Sequence, residues 1–99
     1  MKTSFVVLAV ALLFTPVVAV AHGGHPHVLG TVQQVTSASI TVKTSNGAVT
    51  VPLNSETRYY RGAGTSHPAT SHDVEAGMRV VVHEDAHGQA AEVHIPLVN

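Results

Sequence analysis

The chain has 99 residues and no cysteine, with five Lys and Arg against six Asp and Glu. That length holds one small domain, the missing cysteines exclude disulfides, and the near-neutral charge excludes the basic surface that a nucleic-acid or anionic-membrane partner needs. Such a domain has to be held by its apolar core alone.

Residues 1–21 read as a secretory signal peptide. Lys2 supplies a positive n-region, Phe5 to Phe14 an apolar h-region, and Ala19-Val20-Ala21 a small-x-small cleavage pattern. An uncleaved anchor is the competing reading, because Phe5 to Ala21 approaches spanning length. The shortness of the run, Pro16 and the cleavage pattern favour a cut after Ala21, with no stable membrane anchor left. The expected location is exported, periplasmic or secreted. Beyond the cut four basic residues face six acidic ones, a net charge of −2 with histidines neutral.

Residues 22–27, HGGHPH, have no apolar periodicity and predict a flexible tail. The folded domain is expected over residues 28–97. A first strand runs from Val28 to about Thr36, and a bulge between Val32 and Val35 restores its period-two phase. Gly30 allows a close backbone approach. Ile40 to Leu53 predicts a β-hairpin. A type I′ turn at Asn46-Gly47 pairs Thr44 with Val49, Val42 with Val51 and Ile40 with Leu53. One face of that hairpin is apolar and needs cover.

A short strand follows over Thr57 to Arg61, with Tyr59 and Tyr60 on opposite faces. Gly62 to Ser71 reads as a loop. Thr70 or Ser71 caps one helical turn over His72 to Ala76, and Gly77 stops it. Met78 to Glu84 and Ala90 to Ile95 form a last hairpin around a turn at His87-Gly88. Together these predict an all-β domain: a five- to six-stranded antiparallel barrel, closed or partly open, OB-like or SH3-like, with one short helical turn.

Several stretches carry a resemblance. They are G-T-V-x-x-V from Gly30, I-T-V-K-T-x-x-G from Ile40, V-x-V-x-L from Val49, Thr57, D-V-x-x-G-x-x-V-V-V from Asp73, and A-x-E-V from Ala90. Over Gly30 to about Ile95 the chain resembles a family of small exported bacterial domains known only as a domain of unknown function. The resemblance implies a small barrel and export, and no activity. The chain is also similar to the periplasmic copper chaperone of the Cus efflux system, an exported five-stranded OB barrel with a G-x-V-x-x-V opening. That family's copper site uses a Trp and two Met with a His. Here there is no Trp, and the two Met are Met1 and Met78, so the site is not carried over.

Histidine is the outlier, with eight residues, all beyond the predicted cut. Neutral imidazole suits copper and zinc. The first candidate metal set is the tail, His22, His25 and His27, where a cut after Ala21 would add the free α-amine of His22. The second comes from register. With a turn at His87-Gly88, Val82 pairs with Val93 and Val80 with Ile95 in the core, and His83 pairs with Glu92 and Val81 with His94, so His83, Glu92 and His94 share the outer face of the hairpin. Against these stand a plain polar tail and an ordinary polar face. No Ser–His–acid set, H-E-x-x-H or carboxylate pair points to an enzyme. The acids Glu56, Asp73, Glu75, Glu84, Asp85 and Glu92 read as solvated charges. The cluster Arg58, Tyr59, Tyr60, Arg61 reads either as a docking face for an extended ligand or as one core ring and one covered surface ring. Two functions follow: an exported, non-enzymatic copper- or zinc-binding or buffering barrel, or an interaction module for a protein, peptide or glycan with the histidines incidental.

Overall fold

The computed structural model describes residues 27–98. The predicted signal peptide and the tail residues His22 and His25 lie outside the described residues. Seven strands form one sheet: β1 (His27–Val35), β2 (Ser39–Thr44), β3 (Gly47–Pro52), β4 (Arg58–Arg61), β5 (Pro68–Ala69), β6 (Arg79–Glu84) and β7 (Ala90–Ile95). Their order is β3-β2-β1-β6-β7-β4-β5. The all-β class is as expected. The strand count is higher, the barrel does not close, and one pair is parallel, β4 with β7. The extra strand is β5, whose two residues pair with Tyr59 and Tyr60 inside what the composition reads as loop.

The sheet curls around one core. Val28, Val32, Ile40, Val42, Val51, Val80, Val82, Val93 and Ile95 are buried in a single cluster, joined by Val74 from the connection before β6. These are the alternate positions of their strands, as a sheet with one dry face requires. Val51 is wholly buried although β3 is an edge strand, because curling brings the edge over the core. The predicted bulge sits in β1 between Val32 and Gln34. Gly30 works as expected: a Cβ there would fall on the Lys43 carbonyl oxygen and lie 2.9 Å from Val42 Cγ1.

The first hairpin departs from its predicted register. Ile40 pairs with Val51, Val42 with Val49 and Thr44 with Gly47, so the central turn residues are Ser45 and Asn46. No non-glycine residue has positive φ among the described residues, so the turn is not type I′; of its four residues only Gly47 takes positive φ, 117°. The Thr44 side chain decides this. Its Oγ1 accepts from the Asn46 backbone N–H at 3.0 Å and donates to the Gly47 carbonyl at 2.7 Å. The shift is by two residues, so the apolar face is unchanged.

The helical turn is a 3₁₀ turn over Ser71–Asp73, shorter than predicted. Thr70 is its N-cap, and the Asp73 carboxylate accepts from the Thr70 backbone N–H at 2.9 Å. That hydrogen bond is the main cause of a lowered Asp73 pKa, with Arg61, 3.5 Å away, adding to it. Gly77 stops the segment at φ 93°.

The β6–β7 register is as predicted where it matters: Val82 pairs with Val93, His83 with Glu92 and Val81 with His94. Its turn is different. Asp85 and Gln89 are bonded across Ala86-His87-Gly88, and Gly88 alone takes positive φ, 80°. A three-residue loop adds one residue, and a bulge between the His83–Glu92 and Glu84–Ala90 pairs absorbs it.

Candidate metal centre

Alternation along β7 sends Val93 and Ile95 inward and Glu92 and His94 to the outer face. β6 lies beside it and places His83 directly opposite Glu92. On the other side β4 runs parallel and sets Tyr60 beside His94. The outer face therefore gathers three donors: ligand atoms of His83, Glu92 and His94 all lie within 4.8 Å of one another. The group could hold a metal ion.

His94 is the fixed member, buried to 6 % exposure. Its Nδ1 lies 2.9 Å from the Gly62 carbonyl and its Nε2 2.8 Å from Glu92 Oε1. A carbonyl only accepts, so Nδ1 carries a proton and donates. In the neutral ring Nε2 then holds a lone pair aimed at a carboxylate, two acceptors face to face. Either a proton shared by the two atoms or a cation bound by both, lying to one side of the line between them, makes this contact favourable. A ligating histidine whose other ring nitrogen donates to a backbone carbonyl is the usual outer-shell pattern of metal sites. Donor atoms about 2.0–2.2 Å from an ion stand about 2.9 Å apart at a right angle and about 3.4 Å apart in a tetrahedron. The observed 2.8 Å fits the right angle as it stands, and a tetrahedral ion needs the pair to open by about half an ångström.

Rings pack around the donors. Tyr60 stacks on His94 with centroids 5.4 Å apart, and His83 meets His94 at 4.9 Å. On its far side His83 meets His27 at 4.2 Å. The strand begins one residue earlier than the tail reading allows. His27 opens β1 opposite His83, so one predicted tail ligand lies on the sheet face. Period-two phase extended back from Leu29 is the signal that would have placed it there. Gly62, which takes φ 81°, and Tyr60 were not legible as site residues, because only the parallel β4–β7 pairing brings them to His94.

The remaining described histidines, His67, His72 and His87, are exposed in loops and the 3₁₀ turn, and none belongs to this donor group. Beside the donors runs an apolar groove of about 630 Å³, bounded by Leu29, Val81, Ile95 and the rings of His27, His83 and His94. The Arg58–Arg61 cluster is one inward ring and one covered outer ring. Tyr59 packs against the core, where burial raises its pKa, and Tyr60 covers His94. Arg61 binds the Pro96 carbonyl at 3.3 Å and pairs with Asp73.

Among the acids, Glu84 departs from the solvated reading. Glu84 lies on the inner face at 2 % exposure, and its Oε1 has no hydrogen-bond partner. Desolvation raises its pKa, with the neighbouring Asp85 charge adding to it. The phase of β6 puts Glu84 in line with Val80 and Val82, a signal present in the sequence. Asp85 holds the turn: its Oδ1 accepts from the backbone N–H groups of His87 at 2.8 Å and Gln89 at 3.0 Å. Those bonds lower its pKa, the one from Gln89 most.

No family model, curated protein or solved structure matches this chain.

Proposed function

We propose that this is an exported, non-enzymatic protein that binds or buffers a transition metal, copper or zinc, on the outer face of its β6–β7 hairpin. The single observation that carries the reading is the His94–Glu92 contact. A buried ring committed to a carbonyl through Nδ1 turns its other nitrogen toward a carboxylate, with His83 within reach. Imidazole and carboxylate donors favour such ions over hard cations held by oxygen alone. The sheet fixes the donors' strands and His94 is buried to 6 % exposure, which raises affinity over that of a loose tail.

Titration of Zn(II) and Cu(II) against a chromophoric chelator tests this. His83→Ala and His94→Gln should each weaken binding by at least the roughly 10- to 100-fold that loss of an outer-shell partner alone costs. Circular dichroism should show the sheet retained. Binding that survives both substitutions but is lost in His22→Ala/His25→Ala would return the site to the tail. The groove and the exposed Leu29, Leu97 and Val98 favour the second reading, an interaction module. That reading takes over if neither metal binds at micromolar concentration.

A further inference from the structure

We infer that His27 supplies the fourth ligand, so that the site is a three-histidine, one-carboxylate shell spanning three adjacent strands. The inference rests on the metal reading above and adds to it the coordination number and a role for the residue that opens β1.

His27 and His83 are Cα partners in the antiparallel β1–β6 ladder, which puts their side chains on one face. Their rings are in contact, with centroids 4.2 Å apart and planes tilted by 49°. His83 in turn touches His94, at 4.9 Å. The three rings form a continuous row across β1, β6 and β7, with Glu92 beside the last two. His27, His83 and His94 also border one groove. The donor atoms within 4.8 Å of one another are those of His83, Glu92 and His94, so the His27 ring has to turn toward them to complete the shell. Their roles differ by burial. His94 is held at both ring nitrogens, whereas His27 is exposed and touches only the partly exposed His83 ring among the ring contacts.

Four protein donors leave no open position on a tetrahedral ion, which is the pattern of a holding site and not of a hydrolytic one. Loading would also fasten the first residue of β1 to β6 and β7. A metal that binds only the folded arrangement stabilises it by mass action.

The test uses Zn(II) and protein purified after expression of the full sequence, in a His22→Ala/His25→Ala background so that neither tail histidine can substitute. Affinity is read by chelator competition, and long-range ¹H–¹⁵N spectra of the histidine rings report which nitrogens bind metal. The expected result is a metal-bound nitrogen in each of His27, His83 and His94, with His27→Ala losing about tenfold or more in affinity while the fold is retained. If His27→Ala binds as tightly as its parent and the His27 ring is unchanged on loading, the inference is wrong and the three-ligand site stands. An affinity loss without a metal-bound His27 nitrogen also overturns it, because His27 is then only a neighbour. If the parent binds no Zn(II) at micromolar concentration, the metal reading fails and the inference falls with it.

Discussion

The β2–β3 and β6–β7 hairpins close their turns by the same device and differ in what slippage does to them. In each, the glycine alone takes positive φ, Gly47 at 117° and Gly88 at 80°, and an upstream side chain, Thr44 or Asp85, satisfies the turn. The first hairpin has slipped by two residues from the register its Asn-Gly pair suggests, and nothing is lost, since Ile40, Val42 and Val51 stay inside. The second cannot slip so cheaply. Two residues would remove His83 from Glu92 and Val81 from His94, taking the outer-face cluster apart while keeping the core. Its bulge absorbs the odd turn residue before the cluster begins. A buried face specifies register only modulo two, whereas a cluster built across strands needs the full register.

The largest effect tests where the two hairpins meet. β1 pairs with β2 on one side and β6 on the other, and Gly30 is the position where β2 comes closest. Gly30→Val puts a branched side chain against the Lys43 backbone, which cannot give way without parting β1 from β2. The expected cost is about 3 kcal/mol or more, at the upper end of overpacking penalties. Against a net stability of about 5 kcal/mol or a little more for a small domain, urea unfolding should start near zero denaturant. A cooperative transition close to wild type would show that the approach at Gly30 is not rigid.

What was legible follows the same division. Alternation and bulge phase are local, so Val32, Val42, Val82 and Val93 read as core and His83, Glu92 and His94 as one outer face directly from spacing. The turn type is not legible because Asn-Gly is a strong local signal that the Thr44 hydroxyl overrides. The surroundings of His94 were hidden for a different reason. Tyr60 and Gly62 reach it through a parallel pairing between segments more than 30 residues apart, and no periodicity encodes that. At Glu84 two local signals disagree, the phase of β6 pointing inward and the charge outward, and the phase prevails.

The second effect concerns that residue. The inner face of the first hairpin is aliphatic, whereas that of the second ends in the buried Glu84. Glu84→Leu should stabilise the protein at neutral pH by about 1–3 kcal/mol, the cost of a buried polar atom without a partner. The pH dependence has a definite sign. Because its folded pKa is raised above the ordinary 4.5, the folded state holds the proton more tightly. The resulting stability is complete below that value and is lost as pH rises toward the folded pKa. The lowered pKa values of Asp73 and Asp85 act oppositely, so the wild-type minus Glu84→Leu difference isolates Glu84. That difference should grow from acid to neutral pH in thermal melts. A flat difference would mean that the carboxyl finds water.

Gly47→Ala and Gly88→Ala sharpen the comparison further. Neither Cβ meets an atom within 4 Å, so the cost is conformational and similar in both, about 1–2 kcal/mol. Their effects on Zn(II) affinity should differ. Strain at Gly88 is most simply relieved by redistributing the bulge beside His83 and Glu92, so affinity falls with it. Gly47→Ala should leave affinity unchanged. Equal affinity losses would show that the two turns are coupled through the sheet and would end the distinction.

The smallest effect separates two turn geometries that share one sequence. In a type I′ turn at Asn46-Gly47 both residues take positive φ, and Asn46→Ala would cost about 1–2 kcal/mol. In the observed turn Asn46 has negative φ, is exposed, and offers its backbone N–H to Thr44. Alanine keeps that N–H and adopts that backbone. Asn46→Ala should therefore stay within about 0.5 kcal/mol of wild type, as surface substitutions outside special conformations do. Thr44→Val should cost more than Asn46→Ala, because it removes both hydroxyl bonds that hold the Gly47 end in place. Urea midpoints for the two variants decide the matter. If Asn46→Ala is the costlier change, the register is the one the Asn-Gly pair suggests, Val42 faces Val51, and the two hairpins differ at their turns as well as at their outer faces.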